Sequence, residues 1–284
     1  TQRFASLEAE AGWERMPFGL RLFADELQVD TAHGRARGRL RLLQRPGETP
    51  LLDLEARVED VDMTQLSRYL PTSRLAPKPL AWLDGAFRAG RIVSGEARVT
   101  GPVRGFPYRN GEGRFTARAR VEGVTLSYAP GWPEAWDLAG EVAFAGPSFR
   151  AADIAGRVAD VGVPRAVAEL ADWRDAPLLL RAIFEGDAAA AHRLLASSPL
   201  GPKLGPAFAQ LEAAGRLDGE TVMVLPLKRL AERVVTVRVA GRGLRLGLAG
   251  LAEPLTAVAG ELHVRNAEVY APRLTGEFAG GGFE

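Results

Sequence analysis

Alternation of apolar and polar residues runs through most of this sequence, and it constrains the fold more than any other feature. In residues 52–59, Leu, Leu, Ala and Val occupy the even positions and Asp, Glu, Arg and Glu the odd ones. Residues 115–120 and 235–239 also alternate, with the apolar residues at the odd positions. Successive side chains of a β-strand point to opposite faces, so a period of two is typical of a strand with one apolar face. About fifteen such segments, separated by Gly, Pro or Asn, predict a mainly β protein with an antiparallel sheet.

Helical patterns are few and short. The sequence predicts helices over residues 64–70, 78–87, 187–196 and 206–214. The third is the clearest, because an Asp stands at position 187, where its carboxylate can accept a hydrogen bond from a backbone amide at the start of a helix. The fourth has a Pro at its first position and Gly215 after its end, where glycine commonly stops a helix.

Part of the sequence repeats itself without a gap. Residues 123–126 (Gly-Val-Thr-Leu) match residues 243–246 (Gly-Leu-Arg-Leu), and residues 139–142 (Ala-Gly-Glu-Val) match residues 259–262 (Ala-Gly-Glu-Leu). The offset is constant at 120 residues, the difference between 243 and 123. A repeat of hairpins predicts a sheet that grows by addition of similar units. Chance alternation in a chain rich in Gly, Arg and Val is the alternative explanation.

Composition excludes several classes of function. The net charge of +1 gives no basic excess of the kind that binds nucleic acid, so no nucleic-acid partner is expected. The chain has no Cys, which rules out a disulfide framework or a thiolate metal site. No apolar run approaches the roughly 20 residues needed to cross a bilayer. Both ends fall in the middle of a strand pattern, so we expect a piece of a longer protein.

The sequence contains no recognisable catalytic motif. The three histidines, His33, His192 and His263, lack the spacing of a metal-binding HExxH motif, and no GxSxG or phosphate-binding glycine loop is present. We therefore expect no enzyme, no cofactor and no metal. An enzyme that acts on cell-envelope polymers stays open as an alternative, because the paired carboxylates of glycosidases leave no short signature.

A series of short motifs resembles a known family. Tyr69-Leu70-Pro71, Trp82-Leu83 and Ala89-Gly90-Arg91 are followed by Gly105-Phe106-Pro107-Tyr108, Leu126-Ser127-Tyr128 and Trp132-Pro133. In this order and spacing they are similar to the central region of YhdP-type proteins of the AsmA-like superfamily. The resemblance covers most of the chain from about residue 69 onward.

The resemblance implies a fold, a place and a function. Proteins of this type are envelope proteins of Gram-negative bacteria, with an inner-membrane anchor and a long periplasmic β-structure. They are similar to bridge-like lipid-transfer proteins. For this chain the resemblance implies a long curved antiparallel sheet that forms a trough-like repeating β-groove, with a few short helices. The groove would carry phospholipid acyl chains between the inner and outer membranes, which the missing parts of the full-length protein would contact. The family implies no catalytic residues.

On this basis we divide the chain into five parts. They are a β-groove segment (1–63), a short helical segment (64–90), a β-groove repeat unit (91–160), an insertion with helices and strands (161–230) and a second repeat unit truncated at the C-terminus (231–284).

The residues themselves indicate which face would hold a ligand. Small inward residues such as Ala56, Ala97, Ala117 and Ala119 would fill the roughly 10 Å gap between two packed sheets poorly, whereas an open trough tolerates them. A scaffold with a closed core is the alternative, and an unpaired terminal strand would favour edge-to-edge self-association. The predicted groove-lining residues are Phe115, Ala117, Ala119, Leu126, Val142, Phe144, Val235, Val237, Val239, Leu244, Leu246, Leu248, Leu262 and Val264.

Overall fold

The fold is a single sheet in which every strand pairs with its neighbours in the chain. A computed structural model describes residues 6–68, 82, 85–266 and 268–284. Within these residues fifteen strands follow one another in the order β1 to β15. The sheet is antiparallel and not closed, and strands make up 65% of the structure. The predicted mainly β class, with an antiparallel sheet and few short helices, is confirmed.

The elements have the following bounds. The strands are β1 (Ser6–Met16), β2 (Gly19–Thr31), β3 (Gly34–Gln44), β4 (Leu51–Asp62), β5 (Phe87–Pro102), β6 (Arg114–Leu126), β7 (Ala135–Ala145), β8 (Ser148–Val158), β9 (Val161–Leu170), β10 (Leu178–Asp187), β11 (Glu212–Leu225), β12 (Val234–Gly247), β13 (Leu255–Arg265), β14 (Glu268–Phe278) and β15 (Gly281–Phe283). The described helices are α1 (Ala188–Ala196) and α2 (Gly205–Ala209), with 3-10 turns at Met63–Arg68, Val103–Gly105, Gly201–Lys203 and Leu230–Glu232.

Two of the predicted helices can be compared in full. The helix α1 begins directly after Asp187, whose carboxylate accepts a 2.8 Å hydrogen bond from the amide of Ala189. The prediction for residues 206–214 is wrong beyond Ala209, because β11 begins at Glu212. Gly215, expected as a helix stop, lies inside β11 at a register shift, with a φ of 106°.

The two other predictions involve undescribed residues. Residues 64–70 overlap the 3-10 turn Met63–Arg68, and residues 69 and 70 lie outside the described part of the chain. Most of the predicted helix at 78–87 also lies outside it, as do Tyr69-Leu70-Pro71 of the family resemblance.

The 120-residue offset recurs in the strands. The bounds of β6, β7 and β8 return at that spacing in β12, β13 and β14, apart from one extra residue at the end of β12. Left-handed backbone angles recur as well: φ is 60° at Gly123 and 59° at Gly243. The same holds for Asp137 and Ala257, at 53° and 49°, and for Ala159 and Ala279, at 48° and 49°. The repeated sequence therefore encodes the same bends in both copies.

Contacts between Cα atoms divide the chain into two units. The first unit comprises Thr1–Val124, Ala139–Ala152 and Leu170–Ala176, and the second Thr125–Leu138, Asp153–Glu169 and Pro177–Glu284. Among the described residues of either unit no large side chain is fully buried. The buried apolar residues are Met63, Ala86, Val99, Tyr108, Val121, Val124, Ala151 and Leu170 in the first unit, and Ala135, Val161, Ala188, Ala190 and Val258 in the second. The five-part division made from the sequence stays a prediction.

Candidate functional site

One face of the first unit is apolar across five strands. Residues that pair between antiparallel strands point to the same side of the sheet, so the register defines the rows of that face. We call it the apolar face of the first unit. Its rows are Trp13, Leu22, Leu42 and Leu52; Ala11, Ala24, Leu40, Leu54 and Val99; Ala9, Leu27, Gly38, Ala56 and Ala97; and Leu7, Val29, Ala36, Val58 and Gly95.

This face keeps much of its surface exposed. Relative exposure is 59% for Leu7, 69% for Trp13 and 40% for Leu22, and most other members are half-buried. An apolar side chain that another layer covers would be almost fully removed from water. Within the described residues, therefore, no further layer covers the apolar face of the first unit over these strands.

Small residues occupy a band of that face. Gly38 pairs with Ala56, and Ala56 pairs with Ala97. A Cβ placed on Gly95 would lie 3.3 Å from the Cβ of Ala119, which puts Ala119 on the same side of β6. Ala117, two residues before Ala119, shares that side because side chains alternate along a strand. These small residues thus form a band across β3 to β6 on one side of the sheet.

The predicted residues Phe115 and Phe144 belong to an aromatic cluster. Their ring centroids are 6.3 Å apart, and Phe115 also lies 4.8 Å from Phe106. The Phe144 ring is 5.2 Å from Phe149 and 6.2 Å from Trp173. Here the aromatic side chains pack on one another, so this part of the first unit is a small local core. Sequence reasoning missed Phe106, Phe149 and Trp173 because two of them lie in loops that the alternation does not describe.

An ion pair holds two of these loops together. The Arg109 guanidinium donates hydrogen bonds of 2.8 and 2.9 Å to the two carboxylate oxygens of Asp172. This bond is the main reason why the pKa of the Asp172 carboxyl is lowered to about 2. Arg109 also lies 6.0 Å from the centre of the Trp173 ring. The loop that carries Trp173 is thereby fixed beside the aromatic cluster.

The second unit has an apolar face of the same kind. We call it the apolar face of the second unit; it brings together the predicted residues Val235, Val237, Val239, Leu262 and Val264. Its rows are Leu180, Met223 and Val235; Ala182, Thr221, Val237, Val264 and Val269; and Phe184, Gly219, Val239 and Leu262. All of these residues except Val269, which is exposed, are half-buried.

The remaining predicted residues of β12 continue that face or lie beyond it. Leu244 pairs with Val258, and Leu246 pairs with Leu255. A Cβ on Gly241 would clash with the Leu244 side chain, so Leu244 shares the side of Gly241 and Val239. Leu248 follows the end of β12 and is exposed. Leu126 in β6 and Val142 in β7 are half-buried.

The opposite face of each unit carries charged pairs. In the second unit Arg238 pairs with Glu220 at 3.3 Å, and His263 lies 3.1 Å from Glu261. In the first unit Arg41 pairs with Asp25 at 2.7 Å, and Arg39 pairs with Glu55 at 2.8 Å. Opposite charges on neighbouring strands support each other and stay hydrated. The face opposite the apolar one therefore carries hydrated ion pairs in each unit. In the second unit it also exposes Ile183, Val222 and Tyr270.

Comparison with known protein families identifies the family of this chain. The chain matches the family described as YhdP protein over residues 2–284. This chain belongs to the YhdP family. No curated protein and no solved structure matches it.

Membership of the YhdP family supplies a general function. The family is an AsmA-like lipid-transport family of the cell envelope, and it is not known for enzymes. Within the described part of the chain no helix is long and apolar enough to span a membrane. The described residues also contain no group of three or more His, Asp or Glu side chains arranged to hold a metal ion.

In the described part of this YhdP-family chain, the two most prominent depressions are open to solvent. The larger of two prominent depressions, of about 540 Å³, is open to solvent and lined mainly by polar residues, including His33, Asp60 and Arg91. Arg91 pairs with Asp60 at 3.6 Å there. The two apolar faces, by contrast, each continue across several strands.

Proposed function

We propose that this chain is a segment of a periplasmic, bridge-like conduit whose apolar faces carry phospholipid acyl chains between the inner and outer membranes. Its role is binding and transfer without catalysis. The full-length protein would contact both membranes through other parts. Its partners on this proposal are phospholipids, and its place is the periplasm as part of an inner-membrane-anchored protein.

The observation that carries the proposal is the apolar face of each unit, whose described residues stay half-buried or exposed, as at Leu7, Trp13 and Val269. Leaving a Leu or Val side chain exposed forfeits about 1.5–3 kcal/mol relative to full burial. Rows of such residues, which the described part of the chain leaves only partly buried, favour a ligand that covers them. Acyl chains suit this face because each methylene removed from water contributes about 0.8 kcal/mol and needs no hydrogen-bond partner.

The charged faces indicate which side of the sheet the acyl chains would contact. Arg238 and Glu220 form an ion pair on the side opposite to Val237. Acyl chains gain nothing from a charged, hydrated surface, because displacing its water leaves polar groups without partners. Lipid tails would therefore contact one face of each strand only.

A structural scaffold with a closed core is the second candidate. The aromatic cluster around Phe115 and Phe144 favours it locally, because those rings pack on one another. A closed core would also be expected to bury large side chains fully, and among the described residues none is buried to that degree. We therefore favour the conduit.

The test compares two adjacent residues that face opposite ways. Leu246→Asp places a carboxylate on the apolar face of the second unit, and Arg245→Asp places the same group on the charged side. Each protein is incubated with vesicles of phosphatidylethanolamine and phosphatidylglycerol and re-purified, and its bound lipid is measured by mass spectrometry.

We expect Leu246→Asp to retain at least about fivefold less phospholipid, because a carboxylate among acyl chains is costly to desolvate. Arg245→Asp should retain as much as the unchanged chain. Circular dichroism and thermal unfolding measure whether each variant is folded. Equal retention by the two variants, or no lipid on the unchanged chain, would contradict the proposal. Unfolding of Leu246→Asp alone would favour the closed core.

A further inference from the structure

We infer that two loops of the first unit form a clasp that closes the apolar side of the sheet to acyl chains at one end of β6, β7 and β8. The clasp consists of residues 103–113, between β5 and β6, and residues 171–177, between β9 and β10. The inference rests on the proposed function and adds to it a part of the sheet that acyl chains reach only when the clasp is open.

The first loop covers the start of β6. Phe115 lies on the same side of this strand as Ala117 and Ala119, because side chains alternate along a strand. The Phe106 ring, from the first loop, packs on the Phe115 ring with a centroid distance of 4.8 Å. The neighbouring strand continues the cluster, since the Phe144 ring is 6.3 Å from that of Phe115. The loop therefore lies on the side of the sheet that carries the apolar face of the first unit.

The second loop covers the adjacent strands on the same side. The Trp173 ring lies 6.2 Å from the Phe144 ring, and Phe149 in β8 lies 5.2 Å from Phe144. The amide of Trp173 also donates a 3.2 Å hydrogen bond to the carbonyl of Pro147, in the turn between β7 and β8. An acyl chain at this place would compete with the Trp173 indole for the surface of Phe144.

A bidentate ion pair joins the two loops. Arg109, in the first loop, donates hydrogen bonds of 2.8 and 2.9 Å to the two carboxylate oxygens of Asp172, in the second. The Asp172 carboxylate also accepts a 2.7 Å hydrogen bond from the amide of Arg174, so it holds the conformation of its own loop as well. Charge-assisted bidentate pairs fix the geometry of both partners. Removing the Asp172 charge would therefore loosen the link between the loops.

The clasp is only partly buried. Trp173 is 38% exposed, and the side chains of Arg109 and Asp172 are 21% and 31% exposed. Segments that open within a folded protein have few buried apolar contacts and solvent-exposed hydrogen bonds. Trp173 can therefore move away from Phe144 without the unfolding of a large core.

The repeat shows that the strands do not require the aromatic cluster. Strands β12, β13 and β14 return at the 120-residue offset with the bounds of β6, β7 and β8, apart from one residue. At that offset valines replace the three phenylalanines of the cluster: Val235 for Phe115, Val264 for Phe144 and Val269 for Phe149. Since valine suffices to build the same strands, the phenylalanine rings serve the contact with the two loops.

The experiment uses a phospholipid whose acyl chain carries a photoreactive diazirine. The 284-residue chain is irradiated with vesicles of phosphatidylethanolamine and phosphatidylglycerol that contain this lipid. Mass spectrometry counts the adducts on residues 142–150, under the clasp, and on residues 52–58 of the apolar face of the first unit. Asp172→Asn and Trp173→Ala open the clasp. Trp136→Ala is the matched control, because Trp136 is 41% exposed and lies 5.3 Å from an arginine, as Trp173 lies 6.0 Å from Arg109.

We expect the unchanged chain to carry at least about fivefold fewer adducts on residues 142–150 than on residues 52–58, as a closed state favoured by about 1 kcal/mol requires. Each opened variant should bring the two counts within about twofold of each other, with unchanged adducts on residues 52–58. Trp136→Ala should keep the original difference.

Similar counts on both segments of the unchanged chain would overturn the inference and leave the proposed function standing. A difference that persists in both opened variants, while circular dichroism shows them folded, would do the same. No adducts on either segment of the unchanged chain would overturn the inference together with the proposed function.

Discussion

At the scale of single residues, the Arg109–Asp172 pair anchors a loop beside the aromatic cluster of Phe115 and Phe144. The two side chains are 21% and 31% exposed, which is less than for most other ion pairs of the described chain. Their bidentate geometry fixes both loops more firmly than a single contact would. The pair joins residues 63 apart in sequence, so no local pattern indicates it.

Replacing Asp172 by Asn should destabilise the protein in a pH-dependent manner. Its folded pKa of about 2 lies below the ordinary 3.8, so its contribution is complete above about pH 4 and is lost as the pH falls towards 2. At pH 7 we expect Asp172→Asn to lower the free energy of unfolding by about 1 kcal/mol, after allowance for solvent screening. Denaturant unfolding at pH 7 and at pH 2.5 measures this difference, which should shrink at the lower pH.

A control for this prediction is the exposed pair of Arg165 and Asp153, whose side chains are 65% and 73% exposed. Asp153→Asn should change the free energy of unfolding by less than about 0.5 kcal/mol. A difference for Asp172→Asn that stays constant between the two pH values would show that the ion pair is not its cause.

At the scale of elements, the repeated strands depend on glycines in left-handed conformation. Gly123 and Gly243 have φ of 60° and 59° and stand at equivalent places in β6 and β12. A Cβ at either position would meet nothing within 4 Å. Any cost of adding a side chain must therefore come from the backbone and not from a clash.

We expect Gly123→Ala and Gly243→Ala each to lower the free energy of unfolding by about 1–2 kcal/mol, because a side chain disfavours the left-handed conformation. Gly123→Asn and Gly243→Asn should cost less, since Asn tolerates that conformation better. Thermal and denaturant unfolding of the four variants measures the effect. Markedly different costs at the two positions would mean that the equivalent bends are not equally required.

The same scale marks where sequence reasoning succeeded and where it failed. Asp187 indicated the start of α1 correctly, because a cap is a local interaction of the chain with itself. The helix expected over 206–214 ends early because residues 212–223 alternate strictly in burial and β11 pairs with two neighbouring strands, which outweighs local helix propensity. A glycine can end a helix or bend a strand, and the sequence around Gly215 does not distinguish these two roles.

At the scale of the whole molecule, alternation predicted a mainly β sheet and the side on which Val237 and Arg238 lie. The register then placed Val237 beside Val264 and Thr221. Alternation could not indicate that Phe115 and Phe144 would pack against aromatic residues from loops, because those contacts depend on tertiary structure. The full set of residues expected to line the groove stays a prediction, which a measurement of lipid contact would test.

Photo-crosslinking from both faces of one strand tests the central claim most directly. A benzophenone side chain is placed at Val237 or at Arg238, neighbours that point to opposite sides of β12. Leu54 and Glu55 form the matching pair in the first unit. Each protein is irradiated with vesicles of phosphatidylethanolamine and phosphatidylglycerol. We expect phospholipid adducts at Val237 and Leu54 and none at Arg238 or Glu55. Equal adducts from both faces, or none from a folded protein, would contradict the account.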